Sequence, residues 1–491
     1  MRREQNDALG VRIPTTILAA MALATAFALG SPLFAGAQEA EAAAPLQADE
    51  ASFGDAAFGE GAATASPLSI GGKAELRSRA YVGHSIDSDA VEADPSLRVD
   101  LSFKGASSEL EAKVRVDEAV IEDNPADALE EATLRSYLGN FVLEAGKMKV
   151  VWGKGDKLHV LDLFNANDYS DFIFPEYIDR RLGEAMARIV WNAPSGARVE
   201  AVWTPVMTPD RVPTEGAWAP ASAKALAAAG ESYVGYQAAV AYAAAGGGFN
   251  GLAAAQKAES EYAEALLPDT KTLDFGQYGL RVTASVGGVD LGASYYLGRF
   301  KTPSVWLSYS GGNVTGFDAS YDRLQSFGLE ASAALGPLNL RSEAAYYLTG
   351  DTAGDDPKTK NNSLNWLAGF DVDLPVSQLN LNVQTTGSYI LGNDDIASPL
   401  DVDYDADGDY SNDKIIVRLS DSYDHEKVIP ELAALWGIER DDFILMPKCT
   451  LTMRDDMKLE LSGAVFLGSS KGEFGAFVDN HFAQATFTYS F

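Results

Sequence analysis

The chain is poor in several residue types that would announce a familiar class of site. It has 491 residues but one cysteine, Cys449, which excludes an internal disulfide. Its four histidines are scattered and show no HExxH-type metal-ligand spacing. Basic residues are outnumbered, with 38 Lys and Arg against 70 Asp and Glu and a net charge of −32, which argues against a nucleic-acid partner.

Long apolar runs and catalytic motifs are also missing. Beyond the amino-terminal region, no segment offers the roughly 20 consecutive apolar residues of a membrane-spanning helix. The sequence contains no GxSxG nucleophile motif, no phosphate-binding P-loop and no histidine beside an obvious Ser–Asp pair. We therefore predict that the protein is not an enzyme.

Short segments with strictly alternating polarity recur from about Leu68 to the carboxy terminus. In the last of them, apolar and aromatic residues take every second position (Ala485, Phe487, Tyr489, Phe491) and polar residues take the others (Gln484, Thr486, Thr488, Ser490). Successive side chains of a strand point to opposite faces, so each such strand has one apolar and one polar face. That pattern is typical of a membrane-spanning β-strand with lipid outside and water inside. A soluble sheet with a dry core behind it is the alternative.

The connections between these segments favour the barrel. Short turns fall at 106–107, 139–140, 194–196, 287–288, 336–337 and 454–456, and longer polar connections fall near 83–94, 119–130, 207–273, 349–364, 392–412 and 469–479. We predict an all-β fold over residues 67–491, a transmembrane antiparallel up-and-down β-barrel of about 18–20 strands with one helical loop. An even strand number would place both termini in the periplasm.

The amino terminus has the pattern of an export signal. Arg2 and Arg3 precede an apolar run over residues 17–30, and Ala35-Gly36-Ala37 offers small residues for cleavage. We interpret residues 1–37 as a cleaved signal peptide and residues 38–66 as a flexible acidic periplasmic lead-in. The expected location is integral to the outer membrane, with the lipid bilayer as a partner.

Several motifs resemble those of a known set of proteins. Trp152-Gly153-Lys154-Gly155-Asp156 is followed by an N-x-x-D-Y-x-D-F run over residues 165–172 and by Tyr177-Ile178-Asp179-Arg180-Arg181, and the chain ends on Tyr489-Ser490-Phe491. These motifs resemble those of porin-like bacterial outer-membrane β-barrel proteins. The last strand also resembles the assembly signal of such barrels, which implies the outer-membrane assembly machinery as a partner. The resemblance supplies no substrate and no catalytic residue.

The segment 152–182 is the main candidate for function, because it is long and rich in charge. We predict that it folds into the barrel and narrows it, since opposed charges in a pore set its selectivity. The candidate residues are Lys154, Asp156, Asp168, Asp171, Asp179, Arg180 and Arg181 in this segment and Arg77, Arg98 and Arg115 on the wall. The alternative is that the segment's charges pair with one another and pin it to the rim.

Two further segments carry weaker signals. Residues 207–273 are rich in Ala, Glu, Lys and Leu, which favour helix, and we interpret them as a helical extracellular loop, with a plug or lid as the alternative. Asp403, Asp405, Asp407 and Asp409 resemble the start of a calcium loop, but Lys414 stands where a bidentate Glu is needed. Weakly bound calcium is the one cofactor to test there, and a solvated acidic loop is the alternative.

Together these patterns predict a porin-like channel for passive or weakly selective diffusion of small hydrophilic solutes. A barrel blocked by its loops, serving as a structural or adhesive surface protein, is one alternative. A transporter for a specific or hydrophobic substrate is another. The sequence leaves the oligomeric state open.

Overall fold

A computed structural model describes residues 67–82, 91–122 and 125–491. The predicted signal peptide (1–37) and acidic lead-in (38–66) lie outside the described residues. Within them, the dominant feature is a single closed sheet of eighteen strands.

Every strand of the sheet pairs antiparallel with its neighbour in the chain, and β20 pairs with β1 to close the barrel. The strands are β1 Leu68–Tyr81, β2 Val91–Lys104, β3 Ser108–Val116, β4 Leu129–Leu138, β5 Phe141–Met148, β6 Glu184–Asn192, β7 Arg198–Thr204, β8 Gln277–Val286, β9 Val289–Arg299, β12 Arg323–Leu335, β13 Leu338–Leu348, β14 Ser363–Asp373, β15 Asn380–Ile390, β16 Lys414–Ser420, β17 Val428–Gly437, β18 Asp442–Arg454, β19 Met457–Gly468 and β20 Phe482–Ser490. Two others, β10 Ser304–Ser310 and β11 Asn313–Ser320, form a separate hairpin between β9 and β12. The predicted barrel of about 18–20 strands is confirmed.

The faces of the strands are inverted relative to those of a soluble protein. On β12, Leu329 is 64% exposed on the outer surface, whereas its neighbour Glu330 is 4% exposed and pairs with Arg281 inside. The same order of apolar residues outside and polar residues inside runs through β18. There the inward-facing Lys448 forms an ion pair with Glu431 on the adjacent strand β17. The alternative of a soluble sheet with a dry core behind it is therefore wrong, because the charged face is the enclosed one.

The two ends of the barrel differ in their connections. One end carries tight turns such as Gly287-Gly288, whose positive φ angles of 62° and 83° suit a two-residue hairpin turn. The first and last strands begin and end at this short-turn end, because Leu68 pairs with Phe103 before the β2–β3 turn and Tyr489 pairs with Met457 after the β18–β19 turn. Gly72 and Phe491 exchange backbone hydrogen bonds there. The other end carries the long connections and is called the long-loop end below.

The helices all belong to long connections. They are α1 Glu118–Glu122, α2 Tyr177–Arg180, α3 Ala221–Ala244 and α4 Gly248–Glu264, with short 3₁₀ turns at Pro125–Ala128, Leu273–Phe275, Asn393–Asp395 and Gly475–Phe477. Alanine favours α3 and α4, and residues 245–247 separate them, with positive φ at Gly246 and Gly247. The pair packs on the β10–β11 hairpin, where Tyr233 stacks on Phe317 at 6.2 Å. In the part of the chain described, no helix has both the length and the apolar character needed to cross a bilayer.

Candidate functional site

The segment 152–182, called the lumen loop below, runs inside the barrel. Its first half packs a dry cluster against the inner faces of β6, β7, β9 and β12–β14. The cluster comprises Trp152, Val160, Leu161 and Phe164 from the loop and Met148, Val150, Met186, Val202, Tyr296, Leu324, Ala345 and Leu367 around them. Phe164 meets Trp152 edge-on at 5.0 Å and Tyr296 at 5.2 Å. This apolar packing fixes one side of the loop to the wall.

Glu343 on β13 anchors the start of the loop. Its buried carboxylate accepts backbone N–H groups from Lys154 at 2.7 Å, Gly155 at 2.6 Å and Val160 at 2.8 Å, and lies 3.1 Å from His159 Nδ1. A Cβ at Gly153, whose φ is +116°, would stand 2.3 Å from a Glu343 oxygen. Gly153 of the Trp152–Asp156 motif is thus required, because the loop approaches this carboxylate too closely for a side chain at that position.

On the opposite side, carboxylates of the lumen loop reach basic residues of the wall. Asp171 binds both Arg77 and Arg79, the latter at 2.5 Å. The other pairs are Asp179–Arg98 at 3.1 Å, Asp156–Arg418 at 3.9 Å and Glu176–Lys448 at 3.4 Å. These four carboxylates therefore tie the loop to β1, β2, β16 and β18. The alternative that the loop's charges pair with one another at the rim fits one acid, Asp162, which pairs with Arg181, but not these four.

The arginines of the loop fall into two different environments. Arg181 is buried and forms an ion pair with Asp162 at 3.0 Å, and Tyr177 donates its hydroxyl to the same carboxylate. Arg180 is 7% exposed, and no described carboxylate lies within ion-pair distance of it. Burial lowers the pKa of Arg180, whereas for Arg181 the effect of burial is outweighed by Asp162 and the pKa is raised. Sequence reasoning treated the two as one pair.

The other predicted site residues are more peripheral. Lys154 contributes its backbone N–H to the Glu343 anchor. Asp168 pairs with Arg211 at 2.5 Å, and Arg115 pairs with Asp117 at 2.5 Å. Arg211 belongs to residues 207–220, which turn into the barrel before α3 begins.

Between the lumen loop and the wall of β1–β3 and β15–β20 lies a cavity of about 810 Å³. Its lining reaches from Lys73, which pairs with Ser490 at the short-turn end, to Glu473 in the connection before β20. Most of its charged groups are matched in ion pairs, which include all four that tie the loop to the wall. Glu460 on β19 is half-buried and lines the cavity without an ion-pair partner among the described residues.

An aromatic cluster borders the cavity towards the long-loop end. Phe172 and Phe174 of the lumen loop pack on Trp218, and Phe466, Phe474, Phe477 and Phe482 surround them. The Arg79 guanidinium lies 4.3 Å from the centre of the Phe482 ring. Sequence reasoning missed Trp218, because it interpreted 207–273 as external. It also missed Glu343, whose only signal was a carboxylate on the polar face of β13.

The acidic segment 403–409 holds no cation-binding geometry. Arg440 binds Asp407 at 2.7 Å and Asp409 at 3.5 Å and also contacts Asp405, so a guanidinium stands where the cation would. Lys471 hydrogen bonds to Asp407 and, with Arg440, lowers the pKa of that carboxyl. Asp403 instead accepts the backbone N–H of Asn361 at 2.6 Å. Over the described ranges, no group of three or more His, Cys, Asp or Glu residues could hold a metal ion, so the arrangement does not support the calcium hypothesis.

The fold and its interior define a class of protein, a closed eighteen-stranded antiparallel β-barrel whose lumen holds an inward-folded loop. Within that class, residues 79–397 match the family described as "Protein of unknown function (DUF1302)". Since the match covers more than half of the chain, the protein belongs to this family.

Solved porin structures resemble the chain in outline. A mutant of the porin of Rh. blastica matches 86% of this chain and 100% of its own, at 11% identity and a TM-score of 0.37. OmpF of Salmonella typhi, in complex with daunomycin, matches 86% of this chain and 97% of its own, at 9% identity and a TM-score of 0.39. No curated protein sequence matches. The fold assignment therefore depends on the strand pairing itself.

Proposed function

We propose that the protein is an outer-membrane channel through which small hydrophilic solutes diffuse, with the lumen loop as its constriction. The observation that carries the proposal is the charged cavity, because one continuous lining joins residues near both ends of the barrel. A wall with this density of charge stays wet and disfavours apolar solutes. The cavity that would form the route has a volume of about 810 Å³.

The outer surface supports membrane insertion. Its exposed large side chains are apolar on strand after strand, as Phe103, Leu134, Ile189 and Leu461 illustrate. A barrel satisfies every backbone hydrogen bond without a free edge, which a bilayer requires. Outer-membrane barrels carry short turns on the periplasmic side and long loops on the outside. We therefore assign the long-loop end to the outside of the cell and the short-turn end to the periplasm.

Selectivity would arise where the loop faces the wall. There, carboxylates of the loop stand against arginines of β1 and β2 at distances of 2.5–3.1 Å. Charges in a confined, partly dehydrated space act on a passing ion more strongly than in bulk water. The lumen loop thus sets both the free width and the local field of the channel.

Single-channel recording on the refolded protein in a planar bilayer tests the proposal. We expect discrete current steps in KCl from the wild type, and a severalfold larger conductance from Glu343→Ala, since that change removes the acceptor of three backbone N–H groups that anchor the loop. Glu330→Gln is the matched control, because Glu330 is an equally buried carboxylate on the adjacent strand that pairs with Arg281 of the wall. Its conductance should equal that of the wild type.

A barrel closed by its loop is the second candidate. The observation that favours it is the double attachment of the loop, by apolar packing on one side and by ion pairs on the other. Folded, heat-modifiable barrels that insert into the bilayer yet carry no current, in the wild type and in Glu343→Ala, would establish the closed form and reject the channel.

A further inference from the structure

The cavity beside the lumen loop contains one cation that differs from all its neighbours. Ten basic residues of its lining, among them Arg77, Arg98 and Lys448, have a carboxylate at ion-pair distance. Arg180 lines the same cavity, is more than nine-tenths buried, and has no such partner among the described residues; its Nε also lacks any hydrogen-bond partner.

A buried and unpaired guanidinium is unfavourable in a folded protein. Removing a charge from water is unfavourable unless a counter-charge or hydrogen bonds replace the water. The face of the Tyr177 ring, 5.7 Å from the guanidinium carbon, compensates in part, and Glu176 favours the charge from beyond ion-pair distance. An anion that enters the cavity would supply the missing counter-charge.

The same cavity also offers apolar surface. Ile173 and Phe174 of the lumen loop, Trp218 of the inward segment 207–220, and Leu435 and Met446 of the wall all line it. Trp218 Nε1 is buried without a hydrogen-bond partner, so the apolar patch carries one further donor. The three unpaired carboxylates of the lining, Glu92, Glu215 and Glu460, differ from Arg180 in that none is buried.

We infer that Arg180 and this apolar patch form a binding subsite for a small organic carboxylate, one with a charged head and an apolar body. The head would pair with the Arg180 guanidinium, and the body would lie against Phe174 and Trp218. The inference rests on the proposed function, in that the subsite lies on the route assigned to solutes. It narrows that function from general diffusion to preferred passage of amphipathic anions.

Three probes of related shape separate the two halves of the subsite. Benzoate has both the charge and the ring, benzyl alcohol has the ring alone, and acetate has the charge alone. In single-channel recordings we expect benzoate to interrupt the KCl current at concentrations at least tenfold lower than either of the other two. Arg180→Gln should lose this difference, with the block measured relative to the variant's own open-channel current.

Arg454→Gln is the matched control, since Arg454 is an exposed arginine at the end of β18, outside the cavity lining. It should show wild-type block by benzoate. Equal block by the three probes, or undiminished block of Arg180→Gln, would overturn the subsite while leaving the channel in place.

Equilibrium binding provides a readout that needs no current. Isothermal titration of the detergent-solubilised barrel with benzoate should show saturable binding that weakens at least tenfold in Arg180→Gln. If the wild type conducts no ions but shows this binding and its loss, the proposed channel fails and the subsite stands. If neither benzoate block nor benzoate binding is detected in a folded wild type, the subsite is rejected.

Discussion

The two sides of the lumen loop use different physical means to hold the same segment. Towards β6–β9 and β12–β14 it packs a dry cluster around Trp152 and Phe164, as in the core of a soluble domain. Towards β1, β2 and β15–β20 it makes ion pairs beside a wet cavity. Apolar packing stabilises a position, whereas the ion pairs place charge where solutes would pass. One side of the loop therefore holds it in place, and the other side sets the electric field inside the barrel.

The largest expected effect is on the dry side. Trp152→Ala should destabilise the folded barrel by about 3–5 kcal/mol, because it empties a site that is 1% exposed and removes the donor to Glu200. Urea unfolding in detergent, followed by heat-modifiable migration, measures the loss. Trp306→Ala, in the β10–β11 hairpin outside the sheet, is the control and should change the midpoint little. Equal losses in both variants would show that the dry cluster does not hold the loop.

A smaller effect, of a different kind, is expected on the wet side. Asp171→Asn leaves Arg77 and Arg79 without their shared carboxylate and should shift the permeability ratio towards anions about fivefold, on the order of 1 kcal/mol for one charge in a watery channel. The reversal potential across a KCl gradient measures it. Asp318→Asn, a carboxylate outside the barrel that pairs with Lys358, should leave the potential unchanged. An unmoved potential in Asp171→Asn would mean that ions do not pass this wall.

The smallest effect is expected outside the lumen. Replacing residues 221–264 with a short glycine–serine linker removes α3 and α4 but leaves Trp218 in place. Conductance should stay at the wild-type level, since the helical pair packs on β11 at the long-loop end. A deletion that also removes 211–220 should change it, because that stretch lines the cavity. Identical conductance in both deletions would show that the inward segment has no part in the channel.

The fold was largely predictable and the site only partly so, for a physical reason. Alternating polarity is a local property, so Leu329 next to Glu330 predicts a two-faced strand without any knowledge of its partners. The density of charge in 152–182 was local too. By contrast, the backbone N–H groups that bind Glu343 lie nearly two hundred residues away in the chain. A single sequence does not show that these distant residues meet. Likewise, Arg180 and Arg181 are neighbours with the same chemistry, and only the position of Asp162 separates their roles.

The seam between the first and last strands has a consequence for the order of folding. Arg79 and Gln484 touch across it although they are 405 residues apart, whereas nearly every other strand pair is a local hairpin. Joining chain ends so distant in the unfolded chain would cost about 5 kcal/mol of loop entropy beyond a constant, which nine residue pairs and the terminal Phe491 contacts would have to offset at once. We therefore expect closure to be the slow, last and concerted step. Until it occurs, the growing sheet exposes two unpaired edges, and a factor that covers β20 in the interval would prevent aggregation.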